Sequence, residues 1–340
     1  MNAQVEYEGK LYASTSTTLT DGSTQGHYTV NNGQNSQTYA DVLINVNKRI
    51  QDFTIVANIG ASYSGITSKE LGYAGPIRET GIPNLFNVYD LDNAKKRATQ
   101  TGWREATESI FASAEIGWKS MLYLTLTGRN DWASQLTHSP QASFFYPSVG
   151  LSWIINKTLN LPEWISFGKV RASWAQVGND LPIGITSPAQ TITAGGVVQP
   201  IDYYFAEDLK PEISNSIEVG TEWKFFNSRL DFDFTFYRTD TKNQLIRVNT
   251  TAEQRPYRWI NAGKIRNTGV EITLGATPLM NDDFRWKTQF NFATNKNKIV
   301  SLGGTPNFQY ASGNVSMPYK MMVVEGGSLG DIYGNVFVRD

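Results

Sequence analysis

Cysteine is missing altogether, which excludes a disulfide framework, a thiolate metal site and a cysteine nucleophile. Histidine is nearly missing: His27 and His138 stand apart and leave little for a metal site or an imidazole relay. No run of 18 apolar residues exists, so no membrane-spanning helix is encoded. Neither sign of charge dominates, with 30 Lys+Arg against 31 Asp+Glu and no block of like charges. That balance supplies no field for holding nucleic acid. H-E-x-x-H, P-loop and G-x-G-x-x-G patterns are all absent, so catalysis finds no support in these motifs and no cofactor or metal is expected. The opening residues, Met1 to Tyr7, lack the basic and apolar regions of a signal peptide.

What remains is aromatic, glycine-rich and weakly charged: 12% aromatic, 29 glycines and only 18% charged residues. Such a composition favours strands. The mean hydropathy of −0.35 hides a period of two. In 53–63, Phe53, Ile55, Ala57, Ile59, Ala61 and Tyr63 share one face; in 145–155, Phe145, Pro147, Val149, Leu151, Trp153 and Ile155 do so; in 284–294, Phe284, Trp286, Thr288, Phe290 and Phe292 do so. These are half-apolar strands. The segments 217–226 and 230–239 permit a register test. A two-residue turn at Asn227-Ser228 sets Phe225 against Leu230, Trp223 against Phe232, Thr221 against Phe234 and Val219 against Phe236. The same register sets Lys224 against Asp231 and Glu222 against Asp233, sorting apolar residues to one face and charges to the other. A like-charge pair such as Glu222 and Asp233 is tolerable only on a wet face. A second hairpin, linked by Lys119-Ser120-Met121, joins 110–118 to 122–129.

Strands are expected near 3–13, 39–49, 53–63, 108–118, 122–130, 145–155, 166–177, 217–226, 230–247, 267–277 and 284–296. Connections starting at 50, 119, 156, 227 and 278 are short, and those starting at 14, 64, 131, 178 and 248 are long. Strict alternation of short and long sorts the turns to one end of an up-and-down sheet, as in an outer-membrane barrel with short periplasmic turns and long extracellular loops. The fold class is therefore all-β, an antiparallel transmembrane β-barrel whose apolar face meets the lipid bilayer. Trp118, Trp153, Trp164, Trp223 and Trp286 lie near the short turns, as an aromatic girdle would. The competing reading is a secreted or surface β-rich binding or adhesion module that buries its apolar face between two sheets.

Five ordered runs then carry a resemblance: Gly128-Arg129-Asn130-Asp131-Trp132; Phe144 to Trp153; Leu161 to Asp180; Leu209-Lys210-Pro211-Glu212 followed by Ile217-Glu218-Val219-Gly220; and Gly263 to Glu271. Together they resemble the barrel of the SusC/RagA family of TonB-dependent outer-membrane transporters, in order from about 105 to 300. The resemblance implies energised uptake of an oligosaccharide or peptide, a SusD-like surface lipoprotein as lid over the long loops at 64–107 and 178–216, and the TonB complex as a partner reached through other parts of the protein. It also implies that 1–340 is one part of a barrel, about 11 of about 22 strands. A signal peptide, N-terminal β-sandwich, plug and C-terminal strands would lie outside it.

Among individual residues, Arg129, Asn130 and Asp131 read as a hydrogen-bonded loop base, with substrate contact as the alternative. Asp90, Asp92 and Asn93 begin like a calcium loop but lack its glycine and terminal glutamate. His27 and His138 fall in expected loops. Tyr203-Tyr204-Phe205 and Tyr257-Arg258-Trp259 place aromatic rings in long loops, where they either pack the loops together or stack on a sugar ring or peptide side chain. Tyr203, Tyr204, Tyr257, Arg258 and Trp259 are accordingly the candidate ligand-binding residues.

Overall fold

A computed structural model describes residues 2–12, 26–80, 86–186, 191–193, 197–199, 203–204, 209–249, 257–304, 308–309 and 319–334. Its strands, in chain order, are β1 (Asn2–Tyr12), β2 (His27–Ile50), β3 (Phe53–Pro76), β4 (Arg97–Trp118), β5 (Leu122–Ala133), β6 (Ser143–Ile154) and β7 (Ile165–Asn179). Three short strands follow: β8 (Thr191–Thr193), β9 (Val197–Gln199) and β10 (Tyr203–Tyr204). Then come β11 (Glu212–Phe225), β12 (Leu230–Lys242), β13 (Leu245–Asn249), β14 (Tyr257–Asn261), β15 (Lys264–Met280) and β16 (Arg285–Ser301). Short strands β17 (Phe308–Gln309), β18 (Tyr319–Val323) and β19 (Ile332–Gly334) end the series. One eleven-stranded sheet runs in the order β1-β2-β3-β4-β5-β6-β7-β11-β12-β15-β16. The expected strand set is this sheet, and β1 and β16 are its two open edges.

The chain forms two compact units. The first comprises Met1–Asp41, Ser62–Glu108 and Gln190–Pro200. Here β1 lies antiparallel to β2, from Asn2 opposite Gln37 to Tyr12 opposite His27. Ile77 bridges to Leu91, and both are fully buried. The 39–49 strand expected from alternation is only the end of β2, and the supposed loop at 64–107 begins and ends as β3 and β4. Both faces of these extensions are polar, so no alternation marks them. His27 accordingly opens a strand rather than lying in a loop.

The second unit comprises Val42–Ala61, Ser109–Ala189 and Ile201–Asp340. The β11–β12 register is the one the side chains dictate: Phe225 faces Leu230, Trp223 faces Phe232, Val219 faces Phe236, and Glu222 faces Asp233. The turn, however, spans 226–229, with Phe226, Asn227 and Ser228 all at positive φ (53°, 54° and 59°). Facing sorts as expected on β5 and β6, where Leu122, Leu124 and Leu126 oppose Trp153, Leu151 and Val149. Leu151 remains 51% and Phe290 61% exposed, so among the described residues no second sheet covers them as a sandwich would. It is the face left for lipid.

Three expectations fail in detail. The 230–247 strand breaks after Lys242, where Asn243 adopts φ 57°, and β13 leaves for another sheet. The connection at 155–164, which holds the single-turn 3-10 helix Ile155–Lys157, is no shorter than the "long" loop at 134–142. Charge sorting on β12 also ends early, because Arg238 lies opposite Ile217, on the aromatic face.

Candidate functional site

The wet face of β7, β11 and β12 is held by a charged node. Arg171 donates from Nη1 to Asp233 Oδ2 at 3.0 Å and from Nη2 to Asp233 Oδ1 at 3.1 Å, while Nη2 also reaches Thr235 Oγ1 at 2.6 Å. Glu218 adds a longer contact, 3.7 Å from Arg171 Nε. The planar guanidinium answers both oxygens of one carboxylate, which fixes the three strands' side chains in place. Asn58 continues this hydrated character, accepting from Asn45 and donating to Ser113 Oγ at 3.1 Å. Such a surface offers water-like partners to a passing polar solute.

Toward the long loops the arrangement changes from wet wall to packed base. Arg129 Nε donates to Asp131 Oδ1 at 2.7 Å and Nη2 to Ser109 Oγ at 2.8 Å. Asn130 alternates to the other face, opposite Phe145, so of the three residues Arg129 and Asp131 share the node and Asn130 does not. Beside it, Ala133, Leu136, Phe144, Leu181, Ile185 and Leu209 form one buried apolar cluster, against which Tyr146, Leu245 and Trp259 pack. Phe144 and Tyr146 meet edge-on, with ring centroids 4.8 Å apart. Residues from the loops at 134–142, 180–211 and 243–263 thus share a single core.

Polar latches reinforce it. Asn261 Nδ2 donates to Lys210 O at 2.8 Å and to Asn243 O at 2.9 Å, and its Oδ1 accepts from Lys210 N at 2.6 Å. Glu212 Oε1 accepts from Gln244 Nε2 at 2.7 Å and from Leu245 N at 2.8 Å. Thr186 Oγ1 donates to Gln135 O at 2.9 Å, and Ser139 Oγ to Leu209 O. Asn261 and Ser139 belong to no sequence motif, and Leu209 and Glu212 enter only as members of a resemblance run. Their role depends on which loops meet, and the sequence signal is limited to the Leu209 to Glu212 run and, for Asn261, a place just ahead of the run that begins at Gly263.

The two aromatic stretches are brought together. β10 pairs with β14 in parallel, Tyr203 opposite Tyr257 and Tyr204 opposite Arg258, and β13 completes a three-stranded sheet. Arg258 is exposed. Trp259 instead packs on the loop-base core. Phe205 lies outside the described residues. Asp90 closes a 3-10 turn capped by Asn87 Oδ1 at 2.8 Å and pairs with Arg78 at 3.2 Å; Asp92 Oδ1 accepts from Ala94 N. Those carboxylates hold their own loop. No cluster of three or more acidic or imidazole ligands occurs among the described residues. His138 is exposed in the 134–142 loop. In the first unit, a polar groove of about 720 Å³ is lined by Asn32, Gln34, Lys69, Glu70, Gln100 and Thr101, among others.

The family described as "TonB dependent receptor-like, beta-barrel" matches residues 2–336. TonB-dependent receptor P3 of Formosa agariphila is 26% identical over 295 residues, covering 81% of this chain and 28% of that protein. TonB-dependent receptor SusC of Bacteroides thetaiotaomicron is 24% identical over 238 residues, covering 64% and 23%. The chain spans about a quarter of the length of these curated relatives. Among solved structures, that of the RagAB peptide transporter superposes with a TM-score of 0.75 at 20% identity, over 88% of this chain and 34% of that one.

Proposed function

We propose, from the premise that this chain belongs to the TonB dependent receptor-like β-barrel family, that it forms part of the wall and loop platform of a transporter importing oligosaccharides or peptides. The family places it in the outer membrane, and its named relatives are receptors and transporters rather than enzymes. Whole-protein activity would then be TonB-dependent uptake, with a SusD-like lipoprotein closing over the long loops.

One observation carries the reading: strands β10 and β14, distant in sequence, set Tyr203 and Tyr204 beside Tyr257 and Arg258 on a latched platform. Tyrosine and arginine are residue types that suit sugar faces, and they suit aromatic or acidic peptide side chains equally. Trp259 serves as the anchor that holds this strand to the loop core. The node around Arg171 and Asp233 supplies the hydrated passage below.

In the full-length protein, the double variant Tyr204→Ala, Arg258→Ala should bind its best oligosaccharide or peptide from a panel about tenfold more weakly by calorimetry, since a lost ring contact is worth roughly 0.5–1.5 kcal/mol beyond its area. Unchanged affinity across the whole panel would remove these residues from the site. Peptide-only binding would select one substrate class, and co-purification of a lipoprotein lid would test the partner.

A further inference from the structure

On three adjacent strands the lipid-side face changes character within a step or two. β12 runs Phe232, Phe234, Phe236, then Arg238, Asp240, Lys242. Opposite these, β15 runs Leu274, Ile272, Val270, then Thr268, Arg266, Lys264. β16 runs Phe290, Phe292, Thr294, then Lys296 and Lys298. Alternate residues of a strand share a face, so these charges stand on the side of the aromatic band. At the same level the opposite face carries Tyr237, Asn267, Asn295 and Asn297, which are uncharged.

Asp240 gathers three of the six cations. Arg266 Nε lies 2.6 Å from Oδ1, while Arg238 Nη2 and Lys264 Nζ lie 3.0 Å and 3.4 Å from Oδ2. Lys242, Lys296 and Lys298 are exposed and form no ion pair among the described residues. One carboxylate against six cations leaves a strong positive excess.

Position decides what such a patch meets. Two residues advance about 6.8 Å along a strand, and less along a tilted barrel's axis, so the first charge lies just beyond the last aromatic ring. A charge on the lipid face costs several kcal/mol at midplane but about 0–1 near the interface. The patch therefore stands at headgroup depth, facing outward. Anions in the lumen would meet the other face, and a lid over the loops would not descend the outer wall.

We infer that Arg238, Lys242, Lys264, Arg266, Lys296 and Lys298 bind the phosphates of net-anionic lipid headgroups in the leaflet that surrounds the long-loop end of the barrel. The inference rests on the outer-membrane wall reading and is independent of what the loops bind.

The test uses full-length protein in detergent, titrated with diphosphoryl lipid A or phosphatidylcholine and read by native mass spectrometry. The triple variant Lys242→Gln, Lys296→Gln, Lys298→Gln spares the Asp240 cluster. It should keep its heat-modifiable gel mobility yet retain lipid A about tenfold less well or worse. Phosphatidylcholine retention should not change, and the corresponding Lys→Arg triple variant should bind lipid A like the parent. Equal lipid A retention by the Gln variant would overturn the inference, as would full displacement of lipid A by excess inorganic phosphate, which would mark a free-anion site. If Phe234→Asp folds as well as the parent, the wall reading itself fails, and that result is separate from either lipid outcome.

Discussion

At Gly269 there is no room for a side chain. A Cβ there would lie 2.6 Å from the carbonyl oxygen of Thr294, with the Tyr237 ring closing over the same point. Backbone cannot yield cheaply, so Gly269→Ala should lower the folded yield of the full-length barrel, at an overpacking cost of about 1–3 kcal/mol. An unchanged urea midpoint in a refolding assay would show that the ring simply turns aside. Facing makes a sharper contrast two strands away. Trp223 lies on the lipid side opposite Phe232, and Glu222 on the wet side opposite Asp233. Trp223→Asp should deplete heat-modifiable protein, since a lipid-face charge costs up to a few kcal/mol for Arg or Lys and less for Asp. Glu222→Ala relieves a like-charge pair with Asp233 while losing a 3.5 Å contact with Lys224, and should be nearly neutral. Equal losses on a gel-shift assay would reverse the facing of the wall.

At the scale of elements, the loop latch makes a separate statement. Asn261 ties Lys210 to the turn at Asn243 by hydrogen bonds to both carbonyls. Asn261→Ala should speed limited proteolysis within 180–211 several-fold while the barrel's heat modifiability stays intact; unaltered cleavage would mean that the shared apolar core alone holds the loops. This is also where sequence reasoning meets its boundary. The β11–β12 register is legible residue by residue because lipid and water impose opposite chemistry on its faces. The extensions of β2, β3 and β4 are not legible, since strands that rise beyond the apolar band are polar on both sides. Nor is the β10–β14 pairing, which depends on loops distant in the chain. The aromatic stretches themselves are visible; what brings them side by side is Leu181, Leu209 and Asn261, ordinary residues until the loops meet.

At the scale of the whole sheet, β1 and β16 each have one strand neighbour among the described residues. An eleven-stranded up-and-down sheet has its first and last strands running the same way, so they cannot close an antiparallel seam. Apart from Ile299, which bonds to Gly326 and Gly327, neither edge has a strand among the described residues to pair its N–H and C=O groups, each costly in lipid at several kcal/mol. Expressed alone, the 340-residue chain should aggregate. A monodisperse, heat-modifiable monomer with protected amides along both edge strands would contradict this. The shared loop core also bears on how such proteins diversify. Leu136, Leu181 and Leu209 come from loops that would vary separately if each were an independent attachment. Packed into one cluster, they behave as a cassette: transplanting the 180–211 segment alone from a relative should leave a poorly seated chimera, whereas moving it together with 134–142 and 243–263 should carry the donor's binding preference across intact.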